Sequence, residues 1–151
     1  MNTFDLYLYA GCAVFVLLVL IIGVVVAVKR KQKAEKYAES IPGVAIVLLR
    51  SQHPGDYDWA DNSYILTIDG KKANSFLYKY GIPAFYISPG EHTLKLKSNW
   101  GSGGGKKVSL HSTKPQEIHV KVKTEGHYSL GYQISSGKYM LEEYENERLF
   151  G

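Results

Sequence analysis

The chain has 151 residues and a formal charge of +4, enough for one modest domain and an appendage. With a pI near 9.0, the excess of positive charge is mild, so the placement of the lysines carries more information than their number. A single cysteine, Cys12, excludes an intramolecular disulfide and any cysteine-based zinc site and fits a reducing compartment.

From Leu6 to Val28 the chain reads "LYLYAGCAVFVLLVLIIGVVVAV" without a charge. As a helix this run is about 34 Å long, enough to cross a hydrocarbon core of about 30 Å with some tilt. Phe4, Tyr7 and Tyr9 stand where an aromatic belt meets headgroups, and Lys29, Arg30, Lys31 and Lys33 follow directly, against Asp5 alone on the other side. That asymmetry predicts a single-pass segment with the bulk of the chain in the cytoplasm. A cleaved signal peptide needs its basic residues before a shorter apolar run; here they follow it. The "LYAGC" ending at Cys12 fails as a lipoprotein signal because most of the apolar run comes after the cysteine. Gly11 and Gly23 are too far apart for a helix-dimerisation motif.

Residues 29–43 form a basic juxtamembrane segment. Its Lys, Ala, Glu and Gln extend the helix until Pro42-Gly43 stops it. Lys29, Arg30, Lys31, Lys33 and Lys36 lie close to an anionic inner leaflet, each contributing about 1 kcal/mol near the surface; an ordinary stop-transfer flank has the same composition.

From residue 44 to 140 the period changes. Branched and aromatic segments at 44–50, 63–69, 74–80, 84–88, 92–98, 107–112, 117–123 and 127–133 are separated by Asp69-Gly70, Pro89-Gly90, Lys114-Pro115 and Glu125-Gly126. Short strands at this spacing predict an all-β domain, an antiparallel β-sandwich of seven or eight strands behind one transmembrane helix. The acidic tail, 141–151, reads equally as a last strand or a short helix.

The segment "HPGDYDWADN" (53–62) offers two readings besides a plain connection. Asp56, Asp58 and Asp61 invite calcium, but the twelfth position of an EF-hand loop is Thr67 where glutamate is required. Tyr57 and Trp59 are candidates for contact with a protein partner.

"NWGSGGGKKVSL" (99–110) raises the question of a phosphate-binding loop. Against Gly105-Lys106 the first glycine of such a loop falls on Trp100, and the hydroxyl position holds Lys107. A strand follows where a helix is needed, so the glycines predict a hairpin connection, with no nucleotide.

If the segments at 92–98, 107–112 and 117–123 pair as consecutive hairpins, keeping Leu94, Leu96, Val108, Leu110, Val120 and Val122 inward fixes the register. The outer face then gathers Lys95, Lys97, Lys107, Lys121 and Lys123, with no acid interleaved, and sets His111 beside His119. Such a face is either a solvated edge or a basic patch for anionic lipid or an acidic partner. Aromatics are not interleaved with the lysines, which argues against nucleic acid. The histidine pair permits a shallow metal site lacking a third ligand, or a pH-sensitive patch.

For catalysis the sequence has no G-x-S-x-G and no HExxH, and Glu142 and Glu143 lie on the tail. It calls for no enzyme activity, no cofactor and no resident metal.

"YILTIDGKK" (64–72) followed by "FYISPGEHTLKLK" (85–97) resembles the Asp-Gly-Lys and Pro-Gly-x-His turn pair of PEGA domains and related membrane- or surface-attached bacterial modules. The resemblance spans about 44–123 and departs between 71 and 84, where only Gly81-Ile82-Pro83 approximates the usual pattern. It implies a β-sandwich with a noncatalytic binding or scaffolding role and carries no catalytic residue. The expected partners are the bilayer and another protein. An extracytoplasmic, envelope-binding module is the alternative, and it requires the opposite orientation.

Overall fold

The computed structural model describes residues 3–51, 57–103 and 109–144. One helix, α1 (Thr3–Glu39), carries the apolar run and its basic sequel without a break. Its large apolar side chains between Val14 and Val28 are exposed. A helix apolar all round needs an apolar surrounding, and this one is long and apolar enough to cross a membrane. Tyr9 is exposed, while the side chains of Phe4 and Tyr7 lie outside the described residues. The helix ends in a turn at Gly43, whose φ of +67° and contact with the Thr124 methyl leave no room for a Cβ.

Among the described residues ten strands follow: β1 (Ala45–Leu49), β2 (Asn62–Ile68), β3 (Lys71–Lys72), β4 (Phe76–Leu77), β5 (Pro83–Ile87), β6 (Gly90–Ser102), β7 (Ser109–Ser112), β8 (Gln116–Val122), β9 (His127–Gln133) and β10 (Lys138–Glu143). They build two sheets. Sheet one runs β10-β9-β1-β5-β4; sheet two runs β3-β2-β6, with β7 and β8 both along the far edge of β6. The domain is the expected all-β sandwich behind an N-terminal helix. All pairings are antiparallel except one: β1 and β9 are parallel, because the chain re-enters sheet one beside β1 after completing sheet two. Lys138–Glu143 pairs with β9, so the start of the acidic tail is a strand; residues 145–151 lie outside the described residues.

β1 explains the layering. Ala45, Val47 and Leu49 point into the sandwich, where they join Phe85, Ile87, Leu94, Leu96, Val122 and Leu130. Ile46 and Leu48 point the other way and pack with Phe76, Ala84 and Ala34 of α1. A strand buried on both faces needs an unbroken apolar run instead of alternation, and "AIVLL" supplies it. The turn of α1 around Ala34, only 4% exposed, therefore adds a third layer.

Sheet two corrects the expected register. β6 is 13 residues long, long enough to take two partners end to end: Gly90–Leu96 pairs β8 and Asn99–Ser102 pairs β7. β7 does not lie between β6 and β8. A buried polar network closes the sandwich at this join. Ser98 Oγ contacts Ser63 Oγ at 2.9 Å and donates to Tyr139 Oη at 3.0 Å, while Thr113 Oγ1 accepts from the Ser98 amide at 3.0 Å.

Candidate functional site

The changed pairing dissolves the lysine face. Lys95 stands opposite Glu117 and pairs with it at 3.3 Å. Lys121 stands opposite Glu91. Lys97 faces Tyr64 of β2. Lys123 leaves the strand and binds Glu143 on β10; that ion pair, by hydrogen bond and then by charge, raises its pKa. Lys107 lies outside the described residues. Acidic residues do interleave, and the lysines do not form one basic surface.

His111 and His119 are also separated, because β7 and β8 occupy successive stretches of β6. His111 stacks on Trp100 at 5.5 Å and contacts Ser102 Oγ; His119 Nδ1 meets Thr93 Oγ1 at 3.0 Å. Among the described residues no three His, Cys, Asp or Glu side chains gather as a metal site.

The described part of the 53–62 segment, residues 57–62, serves structure. Asp58 accepts from the Ser135 amide (2.8 Å), Ser135 Oγ (2.7 Å) and Gln133 Nε2 (2.8 Å), pinning the β9–β10 turn. The two Ser135 hydrogen bonds, above all, hold its carboxyl below the ordinary range. Asp61 accepts the Gly101 amide at 2.7 Å. Trp59, expected at a partner surface, is 7% exposed. It lies between Gly131, where a Cβ would come within 2.8 Å of its ring, and the Arg50 guanidinium, 3.9 Å from its centroid. Tyr57 is exposed, and Asp56 lies outside the described residues.

A different basic site takes shape where α1 meets the β2–β3 turn. Ala34 fixes the helix on sheet one, which turns Lys33 and Tyr37 toward that turn. Asp69 and Gly70 have φ of 51° and 74°, the two positive values of a tight hairpin turn, and Lys71 and Lys72 leave it on the helix side. Together with Asn74, Tyr86 and His92 these residues line a groove of about 350 Å³. Asp69 is the acidic group of the lining and is already engaged: its Oδ2 accepts from His92 Nδ1 at 2.7 Å and its Oδ1 from the Thr93 amide at 2.9 Å. His92 Nε2 lies 2.8 Å from the Ser88 carbonyl. Burial, with smaller contributions from Tyr78 and Glu35, raises the Tyr86 pKa. Three lysines converging from two elements around an engaged carboxylate make a site suited to an anion.

The juxtamembrane lysines were legible as a basic flank, but Lys71 and Lys72 were read only as part of a turn. Their available signal was two adjacent lysines directly after Asp-Gly. No family model matches this chain, no curated protein matches it, and no solved structure matches it.

Proposed function

We propose that this chain is a noncatalytic interaction module anchored in the membrane by α1, with its sandwich on the cytoplasmic side. In this reading the groove of Lys33, Lys71 and Lys72 faces the anionic leaflet. The carrying observation is the burial of Ala34 against sheet one, which ties the height of the sandwich to that of the helix. Lys33 lies five residues past Val28, about 8 Å along the axis and within roughly one Debye length of the headgroups at physiological salt. At about 1 kcal/mol per cation near such a surface, the groove and the flank together give a substantial attraction. The orientation rests on the cations after the apolar run against Asp5 before it. The likeness of the Asp69-Gly70 and Pro89-Gly90 turns to those of PEGA modules supports the same noncatalytic role.

The test uses the full chain in nanodiscs of neutral lipid, with and without anionic lipid, read by amide hydrogen exchange. Anionic lipid is expected to slow exchange across 69–74; equal exchange in both discs would remove the lipid role. A reporter fused at the C-terminus decides between this orientation and an exported, envelope-binding module.

A further inference from the structure

A second and larger groove, about 620 Å³, runs between α1 and the sandwich on the side nearer the N-terminus of the helix. Gly23, Val26, Ala27 and Arg30 form its helix wall, at spacings of three, one and three residues, which place them in one stripe along the axis. The first three belong to the uncharged run and the fourth is a cation, so the stripe is apolar toward the N-terminus and positive at its other end. The facing wall is mixed: Leu77, 54% exposed, and Pro83 provide apolar area, with Ser51, Asn62 and Ser75 beside them.

Its depth relative to a bilayer follows from length. A hydrocarbon core of about 30 Å takes about 20 helical residues, so a core beginning at Leu6 ends near Val25. The Gly23 end of the groove then opens into acyl chains and the Arg30 end into headgroups. A Cβ built on Gly23 meets nothing within 4 Å, so the space beside it is open. Arg30 is exposed, and no carboxylate among the described residues pairs with it. Water filling this groove would wet apolar wall on both sides at about 25 cal/mol per Å².

We infer that this groove is a binding site for one glycerophospholipid of the adjoining leaflet, its acyl chain along Gly23–Ala27 against Leu77 and its phosphate at Arg30. The polarity of the stripe matches that of a phospholipid from chain to phosphate, and the volume falls in the range of about 300–1,000 Å³ typical of small-ligand pockets. This inference rests on the membrane-anchored reading and adds a defined lipid to it.

The experiment is native mass spectrometry of the full chain released from detergent micelles, titrated with phosphatidylglycerol and with phosphatidylcholine. One retained lipid per chain is expected. Gly23→Leu, whose side chain enters open space, is expected to lower retention of both lipids roughly tenfold. Arg30→Gln leaves the groove's shape unchanged and is expected to abolish any preference for the anionic lipid while lowering retention severalfold. Unchanged thermal unfolding shows that each variant is folded. Retention unaffected by both substitutions would overturn the site, as would a dimer in place of the lipid adduct that Gly23→Leu abolishes. Co-flotation of the wild-type chain with liposomes is scored separately: its loss sinks the anchored reading itself, whereas its persistence without a retained lipid sinks only the groove.

Discussion

Asp69 and His92 meet across 2.7 Å, which joins the β2–β3 turn to the start of β6. Asp69 sits at positive φ in the β2–β3 turn; His92 stands just past Pro89-Gly90 at the start of β6. The amide of Asp69 also donates to the Thr93 carbonyl at 2.9 Å, so backbone and side chain cross the same gap. This clamp sets where Lys71 and Lys72 emerge, and thereby ties an ordinary pair of hairpin turns to the basic groove beside α1.

The clamp predicts an acid limb in stability. The His92 hydrogen bond, then the Thr93 amide, hold the Asp69 carboxyl below its usual 3.8. A carboxylate with a lowered folded-state pKa adds stability above the unfolded value, and that contribution fades as pH falls through the folded one. Asp69→Asn should therefore lower the midpoint of urea unfolding at neutral pH and flatten the fall in stability below about pH 4. It should also weaken the protection of 69–74 by anionic lipid, because the turn loses its anchor. A variant whose acid limb matches the wild type would remove the clamp from the account.

Trp59 is the residue whose role the sequence hid most completely. An aromatic in a stretch of Asp, Gly and Asn reads as a surface contact, and nothing local says that Gly131, 72 positions later, leaves the space its ring fills. Trp59→Ala is expected to cost about 3–5 kcal/mol, as large buried aromatics do, and Gly131→Ala about 1–3 kcal/mol from overpacking against the ring. If the two residues interact as the geometry says, the double variant costs less than the sum. Additive losses in urea melts would show that the ring does not rest on Gly131.

The buried hydroxyl of Tyr139 gives an alkaline counterpart. Burial, first of all, lifts its pKa above the usual 10.0, partly offset by the Ser98 and Thr113 hydrogen bonds. A raised folded-state pKa contributes stability in full below the unfolded value, and the contribution is lost as pH rises through the folded one. Tyr139→Phe is expected to cost about 1–2 kcal/mol at neutral pH by removing a partner of Ser98 and Thr113. It should also lessen the fall in stability above about pH 10. An alkaline limb identical in both proteins would mean that Tyr139 does not report the network.

Much of the architecture was open to reading, and the failures share one cause. Seven of the eight expected segments hold strands of four residues or more, because the signal is local; the eighth, 74–80, holds only Phe76–Leu77 before a 3-10 turn at Lys79–Gly81. The unbroken "AIVLL" of β1 held a further signal, burial on two faces, that was not drawn from the sequence; the helix supplies the covering layer around Ala34. Pairing is not local. Hairpins between consecutive strands are the usual arrangement, but they assume that each strand takes one partner along an edge. β6 continues through Asn99, Trp100 and Gly101 and takes two. That single difference rearranges the described residues of the expected lysine face: it pairs Lys95 with Glu117 and separates His111 from His119. The basic groove was hidden for a related reason, since Lys33 and Lys71 come to one groove through the long-range packing of α1, at Ala34, against sheet one.

The two placements of positive charge differ in a way that charge reversal can decide. Lys71→Glu with Lys72→Glu changes the groove, whereas Lys121→Glu changes the outer face of sheet two opposite Glu91. All three side chains lie on exposed strand positions, where substitutions usually shift stability by less than about 0.5 kcal/mol, so folding is not the variable. If the groove faces the leaflet, reversing Lys71 and Lys72 turns two attractions of about 1 kcal/mol each into repulsions. The protection of 69–74 by anionic lipid should then disappear, and Lys121→Glu should leave it intact. The effect should weaken from low to high salt, as the Debye length shrinks from about 10 Å at 0.1 M to about 3 Å at 1 M. Loss of protection with Lys121→Glu alone would return the lipid-facing role to the strand face and remove it from the groove.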